Sequence, residues 1–223
     1  MLRRRLSIAA TGLACAVWPA LPGAGMPQGG PGAAKPIDVT VREGTSYSVT
    51  VSPDGRSIAM DLQGSIWIVP TGGGAAKRIT DEYNDAREPV WSPDGKWIAF
   101  QGYRDGGWDI WAVAPDGSGL HQLTSGPYDD REPAWSHDGT RVAFSSDRGD
   151  AGNYNVWVLE VATGRMQAVT ADPGDDYMPT WGPNDAEIAF VGTRGGLLAI
   201  YAATPAGANE HRVAGGAARV EDR

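Results

Sequence analysis

Arg87-Glu88-Pro89-Val90-Trp91-Ser92-Pro93-Asp94-Gly95-Lys96-Trp97-Ile98-Ala99-Phe100 reads as a β-hairpin. Val90 and Trp91 close a short apolar strand, Ser92 to Gly95 is a turn, and Trp97 to Phe100 opens the return strand with aromatic and β-branched residues. In the turn, Pro93 presets φ at the first central position, Asp94 is placed to bond backbone downstream of itself, and Gly95 tolerates a positive φ. The same chemistry returns at Ser52-Pro53-Asp54-Gly55, at Ser136-His137-Asp138-Gly139 and, degraded, at Gly182-Pro183-Asn184-Asp185.

Three landmarks fix the period. The turns begin at Ser52, Ser92, Ser136 and Gly182, in steps of 40, 44 and 46 residues. A second apolar strand centres on Trp67, Trp111, Trp157 and Tyr201, and Ile79-Thr80, Leu123-Thr124, Val169-Thr170 and Val213-Ala214 close the units. Four strands in 40 to 46 residues predict an all-β fold, a β-propeller of four-stranded antiparallel blades over about 42–80, 81–124, 125–170 and 171–214. In the second blade the strands are expected to end at Trp91 and to span Trp97 to Gln101, Asp109 to Ala114 and Leu120 to Leu123. Ile37-Asp38-Val39-Thr40-Val41 alternates as a strand without a partner in the first blade, and is expected to close the last one and so remove an open edge. Residues 215–223 have the length of the segment that leads into each blade. Four blades of an incomplete ring are therefore expected, a complete four-bladed ring being the alternative.

The ends of the chain bear on its location. Arg3-Arg4-Arg5, the mostly apolar run Leu6 to Trp18 and the small residues of Pro22-Gly23-Ala24-Gly25 make residues 1–25 a secretory leader by type, with 26–36 a Gly/Pro/Ala linker before a propeller at 37–223. A periplasmic or extracellular location follows. The arginines also weakly resemble a twin-arginine signal, and Cys15 stands poorly placed for lipid attachment. Cys15 is the single cysteine, so a chain cleaved after the leader has no disulfide and no thiolate ligand or nucleophile. The formal charge of −8 becomes −11 once the three leader arginines go, which argues against a nucleic-acid partner. No later segment is apolar for long enough to span a membrane.

The pattern carried by Glu88 to Phe100, Asp109-Ile110-Trp111 and Asp116 to Thr124 resembles the Pro-Asp repeat of TolB-like propellers, and it covers about four fifths of the chain. TolB itself has an α/β domain ahead of its propeller, for which the short linker leaves no room. Leader, linker and propeller in that order look more like the front of secreted amidohydrolases, in which a metal-dependent barrel follows. The resemblance thus implies a non-catalytic binding or access-controlling module, the front of a longer hydrolase or, alternatively, a stand-alone periplasmic interaction module of a Tol-Pal type system.

No catalytic signature is present: neither Gly-x-Ser-x-Gly nor His-Glu-x-x-His occurs, and the three histidines are scattered. No catalytic residue, metal or cofactor is expected in this segment. One recurring polar set precedes the innermost strands: Asp85, Arg87 and Glu88; Asp129, Asp130, Arg131 and Glu132; Asp175 and Asp176 with Tyr177. These residues either form a ring that binds a partner protein or peptide segment, a C-terminal catalytic domain or a cation, or they cap the leading turns and pair with arginines between blades. A second set, Arg104-Asp105-Gly106, Asp147-Arg148-Gly149 and Arg194-Gly195, is expected in hairpins at the opposite side of each blade.

Overall fold

The structure is a computed structural model that describes residues 2–6, 37–41, 48–104, 106–149 and 152–215. It divides into two units, residues 1–43 and 44–223. In the first, β1 (Leu2–Leu6) pairs antiparallel with β2 (Ile37–Val41), Leu2 opposite Val41 and Leu6 opposite Ile37. Ile37–Val41 is a strand as its alternation predicts, but its partner is Leu2–Leu6 and not the last blade, whose sheet has four strands of its own. The intervening stretch expected to be leader and linker lies outside the described residues.

The second unit is all β. Its sheets are β3 (Val49–Val51), β4 (Ser57–Leu62), β5 (Ser65–Pro70) and β6 (Lys77–Arg78); β7 (Arg87–Trp91), β8 (Ile98–Arg104), β9 (Gly107–Val113) and β10 (His121–Gln122); β11 (Asp130–Trp135), β12 (Arg141–Ser146), β13 (Asn155–Glu160) and β14 (Met166–Ala168); β15 (Asp176–Trp181), β16 (Ile188–Arg194), β17 (Leu197–Ala203) and β18 (His211–Gly215). Every sheet is an antiparallel meander in chain order, and the four blades are not closed into a ring. The strands fall where the repeat places them. The largest difference is β8, which runs three residues beyond Gln101 to Arg104.

Two small side chains pin each of the first three blades. The turn serine clasps its own hairpin: Ser92 Oγ donates to Asp94 Oδ1 (2.7 Å) and accepts from Trp97 N (2.9 Å), while Asp94 Oδ1 accepts from Lys96 N (3.1 Å). Ser52 with Asp54, and Ser136 with Asp138, repeat the clasp. These bonds hold the Asp54 and Asp94 carboxyls below their ordinary range and Asp138 down at about 2. The threonine that closes each unit accepts the first N–H of an inner strand register: Thr80 Oγ1 from Ile66 N (2.8 Å), Thr124 from Ile110 N (2.9 Å) and Thr170 from Val156 N (3.0 Å). The fourth unit ends in Ala214 and lacks this hook; its β17–β18 register shifts between Ile200 and Tyr201.

Three apolar cores lie between the blades. Ile66 and Ile79 of the first pack with Trp91, Ile98 and Phe100 of the second. Ile110 packs with Val142 and Phe144 of the third, and Val156 and Val169 pack with Trp181, Ile188 and Phe190 of the fourth. Alternation along a strand buried on both faces gives each sheet one apolar set for each neighbour, which is the reason for the dense tryptophan content.

Candidate functional site

The innermost strands of the second, third and fourth blades carry an irregularity at one position. Glu88, Glu132 and Met178, each immediately before a proline, have φ of 53°, 57° and 52°. The ladders shift register there, between Arg87 and Val90, Arg131 and Ala134, and Tyr177 and Thr180. Left-handed backbone at a non-glycine residue is costly, so something must hold it. The holder comes from the preceding blade. Glu88 N donates to Asp61 Oδ2 (2.9 Å), Glu132 N to Gln101 Oε1 (2.9 Å) and Met178 N to Glu132 Oε2 (2.7 Å). Asp61 Oδ1 also accepts from Ser48 N (2.9 Å), and Ser145 Oγ donates to Glu132 Oε2 (2.7 Å).

These bulges line a cleft of about 660 Å³ to which all four blades contribute: Ser48 and Asp61, then Arg87 to Val90 and Gln101, then Arg131 to Pro133, and finally Met178 and Pro179. The three prolines Pro89, Pro133 and Pro179 are buried beside it. Of its carboxylates, Asp61 and Glu132 are spent on the neighbouring backbone, whereas the half-buried Glu88 carboxylate accepts no hydrogen bond from the described residues. Burial, and then the charges of Glu132 and Asp61, push the Glu88 carboxyl above its ordinary range; Arg131 and Arg87 pull it back in part.

The two arginines are held by other groups. Arg87 pairs with Asp85 (2.8 Å) and Arg131 with Asp129 (2.8 Å), and the Trp108 ring lies between both guanidinium groups, 5.0 and 5.2 Å from its centroid. Tyr154 continues the stack, 5.8 Å from Arg131 and 5.3 Å from the Tyr177 ring. In the third and fourth blades the leading aspartate ties the blade to the one before. Asp129 Oδ1 accepts from Trp108 N (3.1 Å) and Asp175 Oδ1 from Tyr154 N (3.0 Å). Burial opposes ionisation of Asp129, but the Trp108 N–H and Arg131 outweigh it and its carboxyl stays below the usual range.

Asp130 and Asp176 sit deeper, fully buried. Asp130 accepts from Ser146 Oγ (2.5 Å) and pairs with Arg148; Asp176 pairs with Arg194 Nη1 (2.7 Å), while Arg194 Nη2 reaches Glu210 (3.0 Å). Arg104, Arg148 and Arg194 therefore do not lie at the opposite side of the blades. The return strand is seven residues long in the second and fourth blades, and in each case ends back at the level where the innermost strand begins. The expected set thus separates: Asp130 and Asp176 are interior ion-pair partners within a blade, Asp129 and Asp175 are braces, Asp85 pairs with Arg87 of its own blade, and Arg87, Glu88, Arg131 and Glu132 reach the cleft. Asp61, Gln101, Ser145, Trp108 and Tyr154 belong with them and have a readable signal, a polar residue after the apolar triplet of the return strand in the first three blades and an aromatic one at the start of the third strand in the second and third.

No group of three or more His, Cys, Asp or Glu is arranged to hold a metal ion among the described residues, and no described helix is long and apolar enough to cross a membrane. The profile of the Tricorn protease N-terminal beta propeller domain matches residues 47–155. No curated protein sequence matches the chain. Among solved structures, the protein described as TolB from Agrobacterium tumefaciens is similar at 18% identity with a TM-score of 0.69, over 78% of this chain and 64% of that one. A puromycin-hydrolyzing peptidase of Mycobacterium tuberculosis is similar at 14% identity and a TM-score of 0.62, over 77% of this chain and 29% of that one. A chain of a nidogen/laminin complex is similar at 11% identity and 0.59, over 71% and 61%. The chain spans less than two thirds of the length of each. At such identities the likeness concerns architecture, and on that ground, with the period, the turn chemistry and the four meanders, the chain is in fold a run of consecutive blades of a TolB-like β-propeller.

Proposed function

We propose that the chain is a non-catalytic binding module of an exported protein, and that its cleft takes a partner segment bearing a cationic side chain. The observation that carries this is the Glu88 carboxylate: half buried, repelled by Asp61 and Glu132, and with no hydrogen-bond donor among the described residues. Asp85 and Asp129 neutralise the two arginines, which leaves the cleft with surplus negative charge. The proline and valine surface beside it suits the methylene stem of a lysine or arginine. Export rests on the basic and apolar start of the sequence. A hydrolase part joined to the module, as its amidohydrolase-like layout implies, is the natural source of such a segment or the beneficiary of access control. The peptidase of similar fold supports this, since the similar region is 29% of that chain. The likeness to the Agrobacterium structure favours the second reading, a module acting alone in the periplasm.

The test is fluorescence anisotropy with a labelled hexapeptide of alanine and proline carrying one central lysine, beside the same peptide with norleucine there. The lysine peptide is expected to bind at least about tenfold more tightly, a difference of about 1.4 kcal/mol, and Glu88→Gln to erase it. Equal binding of the two peptides, or an unchanged preference in Glu88→Gln, refutes the reading.

A further inference from the structure

The cleft gathers three carboxylates, and they are not equivalent. Both oxygens of Asp61 accept backbone N–H bonds, from Ser48 and from Glu88 itself, at 2.9 Å each. Glu132 Oε2 accepts from Ser145 Oγ and from Met178 N, at 2.7 Å each. Glu88 is half-buried and accepts from no donor among the described residues. Like charges that line one partly buried cleft are costly to keep ionised together, so a proton relieves the crowding. Glu88 takes it most cheaply. A proton on Asp61 sacrifices one of its two N–H bonds, and a proton on Glu132 removes the charge that strengthens both of its bonds.

The charged groups that face Glu88 come from three strands. Arg87 is its neighbour on β7, Asp61 stands on β4, and Arg131 and Glu132 stand on β11. From β8 and β15 the cleft receives only the neutral Gln101, Met178 and Pro179. Asp85 and Asp129 hold the two arginines, which therefore offset the carboxylates only in part. Burial, then Glu132 and Asp61, keep the Glu88 carboxyl above the ordinary glutamate value of 4.5. A cationic side chain entering the cleft reverses that balance, because it favours the ionised form.

We propose that the cleft exchanges a proton for its cationic ligand: Glu88 carries the proton in the free cleft and releases it to solvent as the cation seats, so that the ligand is held in neutral medium and let go in acid. The exchange rests on the cleft taking a cationic side chain, as proposed above. Its sign is fixed by linkage. The ligand needs the ionised carboxylate, so affinity is full at neutral pH and falls as pH drops through the titration of the free cleft, by at most about tenfold per pH unit. A lysine side chain, which titrates near pH ~10.4, stays charged throughout and contributes nothing to the slope.

Calorimetric titration of the full chain with the lysine hexapeptide, its termini blocked, tests the exchange between pH ~4 and ~7.5. Each pH is run in two buffers of different ionisation heat, and the difference counts the protons released per peptide bound. Wild type is expected to release up to about one proton, with the maximum above pH 4.5 and none at neutral pH, and to bind at least about fourfold more weakly at pH ~4 than at pH ~7.5. Glu88→Gln is expected to bind more weakly and to release no proton at any pH. Glu132→Gln keeps an oxygen for Met178 N and removes one charge from the cleft, so its release is expected to move to lower pH. Binding of the peptide without proton release overturns the exchange and leaves the lysine reading of the cleft standing. Absence of binding at every pH overturns both. Release that persists in Glu88→Gln puts the proton on another carboxylate and overturns the assignment to Glu88.

Discussion

Asp109 stands at the start of the third strand of the second blade, where the first blade has Ser65 and the third has Asn155. It is 6% exposed, and only Oδ2 is satisfied, by Gln122 Nε2 at 2.8 Å; Oδ1 is buried with no partner. Burial first, and then the charge of Asp130, raise its carboxyl from 3.8 to about 6. The sign follows from linkage: an acid whose pKa is higher folded than unfolded favours the native state when protonated, and that stability is lost as pH rises from the unfolded value through the folded one. A rise of this size costs about 3 kcal/mol above pH ~6, and well under 1 kcal/mol near pH 4. Asp109→Asn keeps the acceptor for Gln122, removes the charge beside Asp130, and installs the side chain that the third blade already tolerates. Urea unfolding at about pH 4 and about pH 7.5 is the assay. The variant is expected to gain on wild type by about 2 kcal/mol more at the higher pH, the increase accruing between 3.8 and about 6. A gain independent of pH, or a wild type more stable than the variant at pH ~7.5, would show that Asp109 is ionised without cost.

Arg194→Met should remove about 3–5 kcal/mol, because Asp176 beneath it is fully buried and would lose its partner charge. In thermal melts the deficit should shrink at low pH, since burial already raises the Asp176 carboxyl and protonation relieves the unpaired charge. Ser92→Ala should cost about 1–3 kcal/mol by leaving Trp97 N–H and one Asp94 oxygen without the clasp, measured by the urea midpoint at constant slope.

The blades were legible because their determinants are local. Ser92, Asp94 and Gly95 close their turn with contacts inside six residues, and alternation alone assigns Trp111 and Ile110 to opposite faces, so a single sequence suffices to set period and strand order. The cleft was legible in its residue types and not in their roles, because each role depends on the blade before. Glu88 and Glu132 occupy the same position in the repeat, both before a proline and both left-handed. What separates them is the residue on the return strand that faces the next bulge. Asp61 and Gln101 are long enough to accept the N–H of Glu88 and Glu132 themselves, so neither bond asks anything of the Glu88 side chain. In the third blade that position is Ser145, whose hydroxyl donates to Glu132, and Glu132 must then receive the N–H of Met178 in its place. One shortened side chain in the third blade thus consumes one of two equivalent glutamates as a brace. Gln101 in the second blade, by serving as that brace itself, leaves the other carboxylate available to a ligand.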